Sequence, residues 1–393
     1  MLLAGCSQDD VMTTAVTPGS PVAISFMPAL TPTLPEGEGT TRAGQTGAMN
    51  SEDLRTTGFG VFASLNSSKT PDMMFNQEVS FTFVGDIDKP VEDSLKGYWS
   101  YQPLKYWPND LTKDSHFYIS AYAPYQNQPI ADPETTTGIY GLSENNESPY
   151  IDYRRCEKPE EVVDLLWYYE EPKGIPAATD AHAAGTLAMK MHHALARLEI
   201  NVKLASAPAA GTKVLVEKIT LTGLMAKTGK LHLYEQTTTG SGDDTKYYPV
   251  WSEQTNDMIG ELRVDHTFTI TNKENDPDSY GIIDPAIRYI EGMPYDWQPE
   301  GLKADNPETS DKDEGLQNAL STGDRKTYVY LIPQDEALSL TVKVKCHKKT
   351  ASDDEVYIKT TKTTDSSPIT PITIANPLKG NTTYTLNLTL SGI

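Results

Sequence analysis

This sequence has few cysteines and no long apolar run. Its three cysteines in 393 residues, Cys6, Cys156 and Cys346, are too few and too scattered for a disulfide scaffold or a zinc knuckle, which needs paired Cys-x-x-Cys spacing. We favour separate thiols over a Cys156–Cys346 disulfide, because the two cysteines fall in regions that we assign to different domains. No stretch approaches the roughly 18 apolar residues of a membrane-spanning helix.

Positively charged residues are also less frequent than negatively charged ones. The 33 lysines and arginines stand against 54 aspartates and glutamates, which gives a net charge of -21. Such a chain repels phosphate backbones, so we exclude nucleic acid as a partner. Because the acidic residues are scattered, we interpret them as a solubilising surface. Calcium binding is the alternative at residues 274–278 and 311–314, although neither stretch has the fixed spacing of a calcium-binding loop.

The motifs of common enzymes are missing as well. There is no Gly-x-Ser-x-Gly elbow, no phosphate-binding loop and no His-Glu-x-x-His. His192 and His193, with His182 upstream, are the best metal candidates, but adjacent side chains on a strand point to opposite faces, and we favour packed histidines. Glycoside hydrolysis ranks low because nothing singles out a pair of acids. We therefore predict no catalysis, no metal site and no cofactor.

Short alternating runs bounded by turn residues dominate the rest of the chain and predict β-strands. In one run, apolar residues alternate strictly with polar ones: Leu338, Leu340, Val342, Val344 and Cys346. Many strands and few helices indicate β-sandwiches, and 393 residues are long for a single core. Only residues 189–198 have apolar spacing near that of a helix, and we place a domain boundary shortly before them. The polar residues 272–322 are expected to form an elaborated loop.

The amino terminus resembles a bacterial lipoprotein signal. The run Met1-Leu-Leu-Ala-Gly-Cys6 ends in small residues before a cysteine, and the polar residues 7–10 follow it. Cys6 would carry the lipid, whose buried methylenes provide membrane affinity. Because the apolar run is shorter than a full signal core, we expect the true start to lie further upstream. The acidic residues after Cys6 resemble the signal that exports Bacteroidetes lipoproteins to the cell surface.

Aromatic residues cluster at Trp99, Tyr101, Tyr106 and Trp107. Tryptophan and tyrosine usually fill cross-strand pairs and cores, so packing is the favoured interpretation. A carbohydrate-binding platform made of these exposed rings is the alternative.

Three passages together resemble the fimbrillin family of Bacteroidetes, which builds pili and related surface lipoproteins. The first comprises residues 97–108 and 116–125, close to the family's Trp-Pro strand and its Ala-Tyr-x-Pro strand end. The second comprises residues 163–167 and 191–202, with the His-x-Leu-Ala hallmark. The third is the Tyr-Leu-Ile-Pro-Gln run at residues 330–334 together with a final Tyr-x-Leu-x-Leu strand.

The resemblance implies an all-β chain of two tandem transthyretin-like antiparallel β-sandwich domains. We assign residues 1–5 to a signal-peptide remnant and residues 6–50 to the lipid anchor, the first strand and a linker. Residues 51–183 would form the N-terminal β-sandwich, and residues 184–393 the C-terminal one.

The resemblance also implies a mode of assembly. An arginine-specific protease removes the first strand of family shaft subunits, and the emptied groove accepts a strand from the next subunit. Here the strand containing Val22, Ile24 and Phe26 would be removed by a cut between Arg42 and Ala43, in a loop rich in proline and glycine.

The donor would be the alternating strand near the carboxy terminus with Tyr384, Leu386, Leu388 and Leu390. This strand is also the natural last strand of its own sandwich, in which case the protein would cap or anchor a fibre.

The sequence therefore predicts a structural or adhesive subunit of a fimbrium. We expect a palmitate-bearing lipoprotein at the outer membrane that is exposed on the cell surface. Its partners would be other fimbrial subunits and a host or bacterial surface ligand. The alternative is a carbohydrate-binding surface lipoprotein.

Overall fold

The computed structural model describes most of the predicted strands. The described residues are 22–30, 49, 51–65, 70–83, 97–108, 117–130, 132–144, 147–156, 162, 164–170, 186–204, 213–242, 245–264, 268–269, 281–282, 328–335, 340–349, 353–362 and 378–390. Cys6, Arg42 and Ala43 lie outside this part of the chain, as does nearly all of the polar tract 272–322.

The described residues form eighteen strands and one short helix. The first half contains β1 (Ser25–Leu30), α1 (Ser51–Thr57), β2 (Phe59–Leu65), β3 (Met74–Phe83), β4 (Gly97–Ser100), β5 (Phe117–Ala123), β6 (Gly138–Leu142), β7 (Tyr150–Arg154) and β8 (Leu166–Glu170). The second half contains β9 (Thr186–His193), β10 (Ala196–Leu204), β11 (Lys213–Thr239), β12 (Lys246–Val264), β13 (Phe268–Thr269), β14 (Gly281–Ile282), β15 (Tyr328–Leu331), β16 (Leu340–Lys349), β17 (Asp354–Lys362) and β18 (Thr382–Leu390). The predicted all-β class is confirmed.

The first sheet has the strand order β1-β9-β8-β5-β2-β3-β4. Its neighbours are antiparallel except for β1 and β9, which are parallel. The interior strand β2 is apolar along most of its length, which is typical of a strand covered on both faces. Phe59 and Val61 enter one core, whereas Phe62 enters another.

The second of these cores joins the first sheet to a long third sheet. Phe62 and Trp167 of the first sheet pack with Ile151 of β7 and with Leu231 of β11. The third sheet has the order β17-β16-β11-β7-β6, and β12 and β13 also pair with β11. Two sheets packed face to face over a shared core form a β-sandwich. In β16 the predicted alternation is confirmed, since Leu340, Val342, Val344 and Cys346 are buried.

A smaller second sheet is built around β10. Strands β14 and β15 pair antiparallel with it, and β18 pairs parallel with it. The division into domains at residues 183 and 184 stays a prediction. Three strand pairs join the two sides of that position: β7 with β11, β1 with β9 and β8 with β9.

Residues 189–198, whose apolar spacing is near that of a helix, form no helix. The segment comprises the end of β9, a turn at Ala194 and Leu195, and the start of β10. Met191 packs in the first core and Leu195 in the second, so the chain passes from one core to the other at this turn. Apolar residues are needed on both sides of such a crossing, and their spacing imitates that of a helix.

Two further sequence predictions concern cysteines and membrane helices. Cys156 and Cys346 are buried thiols that form no disulfide, as expected. Within the described residues, no helix has the length and apolar character needed to cross a membrane.

Candidate assembly site

The first strand of the chain touches both ends of the first sheet. On one side β1 pairs parallel with β9, from Ser25 opposite Thr186 to Leu30 opposite Met191. On the other side the residues just before it meet the segment that follows β4, at the opposite edge of the sheet. There the N–H of Ile24 donates to the oxygen of Lys105 at 2.9 Å, and the N–H of Trp107 donates to the oxygen of Val22 at 2.9 Å.

The inward side chains of this strand belong to the first core. Ile24 is 1% exposed and Phe26 is 5% exposed. The ring of Phe26 meets Phe59 edge-on at 6.1 Å between ring centroids and lies 5.5 Å from the ring of Tyr101. The next residue, Met27, is 50% exposed, as the alternation of a strand requires.

Two polar contacts accompany the apolar ones. The hydroxyl of Tyr101 donates a hydrogen bond of 2.8 Å to the carbonyl oxygen of Ile24. The side-chain hydroxyls of Ser25 and Thr186 lie 2.7 Å apart across the β1–β9 pair. Burial raises the pKa of Tyr101 above its ordinary value, so this hydroxyl keeps its proton and remains a donor at neutral pH.

We call the surroundings of this strand the β1 groove, which is formed by Phe59, Tyr101, Lys105, Trp107 and β9. Two of the four rings considered as a carbohydrate platform line this groove, since Tyr101 and Trp107 are each 6% exposed. Trp99 packs on Phe59 at 5.0 Å, and Tyr106 alone is largely exposed, at 47%. The packing interpretation therefore holds for three of the four rings.

Much of β9 depends on β1 for strand pairing. Among the described residues, the first six residues of β9 pair only with β1, whereas His192 and His193 pair with β8. Pro28 lies within β1, and proline, which lacks an N–H, occurs in sheets mainly at edges. Loss of β1 would expose unpaired backbone groups on β9 together with the apolar surface of the first core.

A hydrogen bond attaches the chain to the fold again at Met49, after β1. Met49 is buried, and its backbone N–H donates a hydrogen bond of 3.1 Å to Oδ2 of Asp164. The same oxygen is bonded to Nδ1 of His193, and both side chains are buried. Sequence reasoning assigned His193 to packing and missed Asp164. The signal was present in the two passages, residues 163–167 and 191–202, that support the family resemblance.

The overall fold is also found in a solved structure. The chain is similar in structure to a fimbrial protein from Bacteroides vulgatus, with a TM-score of 0.50 and 16% identity over 94% of this chain and 95% of that one. It has the fold of that fimbrial protein.

Two other solved structures match with lower scores. Both are described as candidate cell adhesion proteins. One is from Bacteroides ovatus (TM-score 0.40, 12% identity, 95% of this chain and 93% of that one). The other is from Bacteroides uniformis (TM-score 0.39, 11% identity, 94% of each chain). No protein-family model and no curated protein matches the sequence.

His192 occupies a different place in this fimbrial fold from its neighbour. Its ring lies between Trp167, at 6.0 Å, and Tyr247, at 5.3 Å. Burial lowers the pKa of His192 to about 4, with smaller contributions from Lys190 and His193, so the imidazole is neutral at physiological pH. Across the described residues there is no group of three side chains suited to a metal ion.

The predicted donor strand is held within the same chain. All nine residues of β18 pair in parallel with β10, without a break in register. Leu386, Leu388 and Leu390 are buried, and the hydroxyl of Tyr384 accepts a hydrogen bond of 2.8 Å from the N–H of Lys379. The donor role of β18 stays a prediction, because the strand would have to leave β10 to fill a neighbour's groove.

Proposed function

We propose that this protein is a structural or adhesive subunit of a bacterial fimbrium, and that β1 is the strand a neighbouring subunit replaces during assembly. The observation that carries the proposal is the position of β1. It fills a groove in the first core and pairs with β9, the residues just before it hydrogen-bond to the segment after β4, and it precedes the predicted cleavage site in the sequence.

Replacement of β1 has a clear driving force. Without β1, the apolar surface that Ile24 and Phe26 cover would be exposed to water, and the backbone of β9 would lose its partner. An incoming strand restores both at once by β-augmentation. A groove filled by another strand is therefore more stable than an empty groove.

Proteolysis at Arg42 would make the exchange possible. Arg42 lies in the sequence between β1 and Met49, so a cut between Arg42 and Ala43 would separate β1 from the rest of the chain. The hydrogen bond from Met49 to Asp164 would hold the new amino-terminal segment on the fold. The groove would open while helix α1 stays in place.

Export as a lipoprotein completes the proposal. A lipid on Cys6 would tether the uncut chain to the outer membrane, facing the cell surface, and the same cut would release it from that anchor. Such a protein would function by binding other subunits and surface ligands, without a catalytic step and without a cofactor.

The direct test is limited digestion of the purified chain with an arginine-specific protease, followed by amino-terminal sequencing and light scattering over several hours. We expect a new amino terminus at Ala43 and growing polymers. The matched control is Arg42→Lys, which keeps the charge but removes the cleavage site, and it should stay uncut at this position and monomeric. A chain that is cut at Arg42 and remains monomeric would contradict strand exchange and favour a tip, anchor or glycan-binding role.

The lipid anchor needs a separate test in a bacterial host. Cys6→Ala should abolish labelling with radioactive palmitate and release the protein from the outer-membrane fraction. Cys156→Ala, which alters a buried thiol instead, should leave both unchanged. Equal labelling of the Cys6 variant and the parent would refute the anchor.

A further inference from the structure

Two polar contacts bind the start of β1 and the residue before it. Tyr101 donates to the backbone oxygen of Ile24 at 2.8 Å, and the hydroxyls of Ser25 and Thr186 lie 2.7 Å apart. The contacts involve consecutive residues, Ile24 just before β1 and Ser25 at its start, but lie on opposite sides of the strand. One is made to the segment after β4 and the other to β9.

Apolar packing by itself does not fix the register of β1. The inward residues Val22, Ile24 and Phe26 are spaced by two, so a slip of two residues, about 7 Å, again presents apolar side chains to the core. The hydroxyl contact does distinguish the registers. Ser25 is the single hydroxyl residue in the sequence from 22 to 30, and a slip of two residues would place Ala23 or Met27 opposite Thr186.

Tyr101 is fixed in position before any strand arrives from outside. Lys105 follows it closely in the same segment, and the backbone N–H of Lys105 donates to the Tyr101 oxygen at 3.3 Å. The same hydroxyl has two backbone acceptors, Ile24 at 2.8 Å and Lys105 at 3.3 Å, and the contact to Ile24 is the shorter one. A strand that does not direct a backbone oxygen at this hydroxyl leaves it only the longer contact to Lys105, so such a strand is disfavoured.

We propose that Tyr101 and Thr186 determine which strand enters the β1 groove, and in which direction and register. The strand they select is an extended segment of another subunit that runs parallel to β9. It carries an aliphatic residue, a serine or threonine, and a large apolar residue in consecutive positions. The inference rests on the proposed exchange of β1 and specifies the partner of that exchange.

A second copy of this chain contains a segment of this kind. Leu388-Thr389-Leu390 in β18 has the same order as Ile24-Ser25-Phe26 in β1, with leucine in place of phenylalanine. Leu386 would then take the place of Val22. The selection rule is therefore compatible with a polymer of identical subunits.

The test uses the full chain after cleavage at Arg42, mixed with a fluorescent peptide of residues 20–31. Binding is followed by anisotropy, and register by disulfide formation between a cysteine at peptide position 25 and Thr186→Cys in the protein. We expect the unmodified peptide to bind and to crosslink at this pair. Ser25→Ala in the peptide and Tyr101→Phe in the protein should each weaken binding about fivefold, as expected for one hydrogen bond.

Three controls distinguish sequence-selective binding of the peptide from nonspecific binding. A peptide of reversed sequence should bind at least tenfold more weakly. A peptide with its cysteine at position 27 should not crosslink to Thr186→Cys. In a double-mutant cycle, Thr186→Val should cost nothing further once the peptide carries Ser25→Ala.

The possible failures are distinguishable. If the unmodified peptide never enters the cut protein, the proposed exchange of β1 is wrong. If it enters and the Ser25→Ala, Tyr101→Phe and reversed-sequence tests show equal affinity, exchange stands and selection by Tyr101 and Thr186 is overturned. Since Ser25→Ala is made in the peptide, misfolding of the protein cannot explain its result.

Discussion

The backbone N–H of Met49 donates a hydrogen bond of 3.1 Å to Oδ2 of Asp164, which is also bonded to His193. Asp164 lies between β7 and β8, whereas Met49 directly precedes α1. The contact therefore connects the segment before α1 to the segment before β8, 115 positions away along the chain. It is the first described anchor after the predicted cleavage site.

Asp164→Ala should destabilise the protein markedly. The substitution leaves the Met49 N–H and the His193 ring nitrogen buried without their acceptor, and each such loss costs about 1–3 kcal/mol. The matched control is Asp72→Ala, because Asp72 is exposed and accepts one backbone hydrogen bond, from Leu65 at 2.9 Å. Urea denaturation and hydrogen exchange at the Met49 amide measure the two effects. Equal losses of stability in the two variants would show that the buried hydrogen bonds of Asp164 contribute no more than the exposed one of Asp72.

Phe26→Ala should cost about 3–5 kcal/mol, the usual range for a buried phenylalanine. Met27→Ala changes the neighbouring residue, which is half exposed, and should cost about 0.5 kcal/mol or less. Thermal unfolding compares the two stabilities, and hydrogen exchange of the β9 amides should rise in the Phe26 variant alone. Comparable stability of the two variants would show that β1 is not packed in the groove.

His192 should make the protein less stable in mild acid. Its pKa in the folded state is about 4, below the ordinary value of 6.5, so the unfolded chain takes up the proton first as the pH falls. The stabilisation is complete above pH 6.5 and is lost between pH 6.5 and 4. Its size is about 3 kcal/mol, from roughly 1.36 kcal/mol per unit of pKa.

The measurement is the free energy of unfolding at several pH values for the parent and for His192→Gln, which cannot take up a proton. The curve of the variant should be flatter over this interval, whatever its absolute stability. His232→Gln is the control, since His232 is more exposed and hydrogen-bonds Ser252 at 2.7 Å. Parallel curves for the parent and His192→Gln would refute the prediction.

Gly380→Ala should disturb the start of β18. A Cβ at Gly380 would clash with the backbone oxygen of Ala194 and would lie 2.5 Å from Cγ of Pro249. These segments must therefore move apart. Overpacking of this kind costs about 1–3 kcal/mol or more. Hydrogen exchange of the β18 amides should accelerate in this variant.

Gly138→Ala provides the comparison for Gly380. Gly138 has a φ of 78° and nothing within 4 Å of the added Cβ, so its cost is limited to backbone strain of about 1–2 kcal/mol. The β18 amides should keep their protection in the Gly138 variant. Equal exchange of β18 in both variants would indicate that β18 does not depend on the contact between Gly380 and Ala194.

Local alternation made much of the fold predictable. In β16 and β18 every second residue is apolar, and those residues are buried at Leu340, Val342, Leu386 and Leu388. A strand has a period of two wherever one face meets a core, so this pattern is visible without knowledge of the partner strand. At residues 189–198 the alternation is mixed with helix-like spacing, because apolar residues there serve two cores on either side of a turn.

The all-β class follows from local patterns of apolar residues in the sequence. The predicted strand with Val22, Ile24 and Phe26 overlaps β1, which the structure places slightly later, at Ser25–Leu30. Other relationships are visible only in the folded chain: β1 pairs parallel with β9, and the residues just before it meet the segment after β4. Asp164 meets Met49 and His193, and β18 lies beside β10. These partners are far apart in the chain. Their pairing depends on which packing buries the most apolar surface while satisfying every buried polar group, a balance set by the whole fold rather than by any segment.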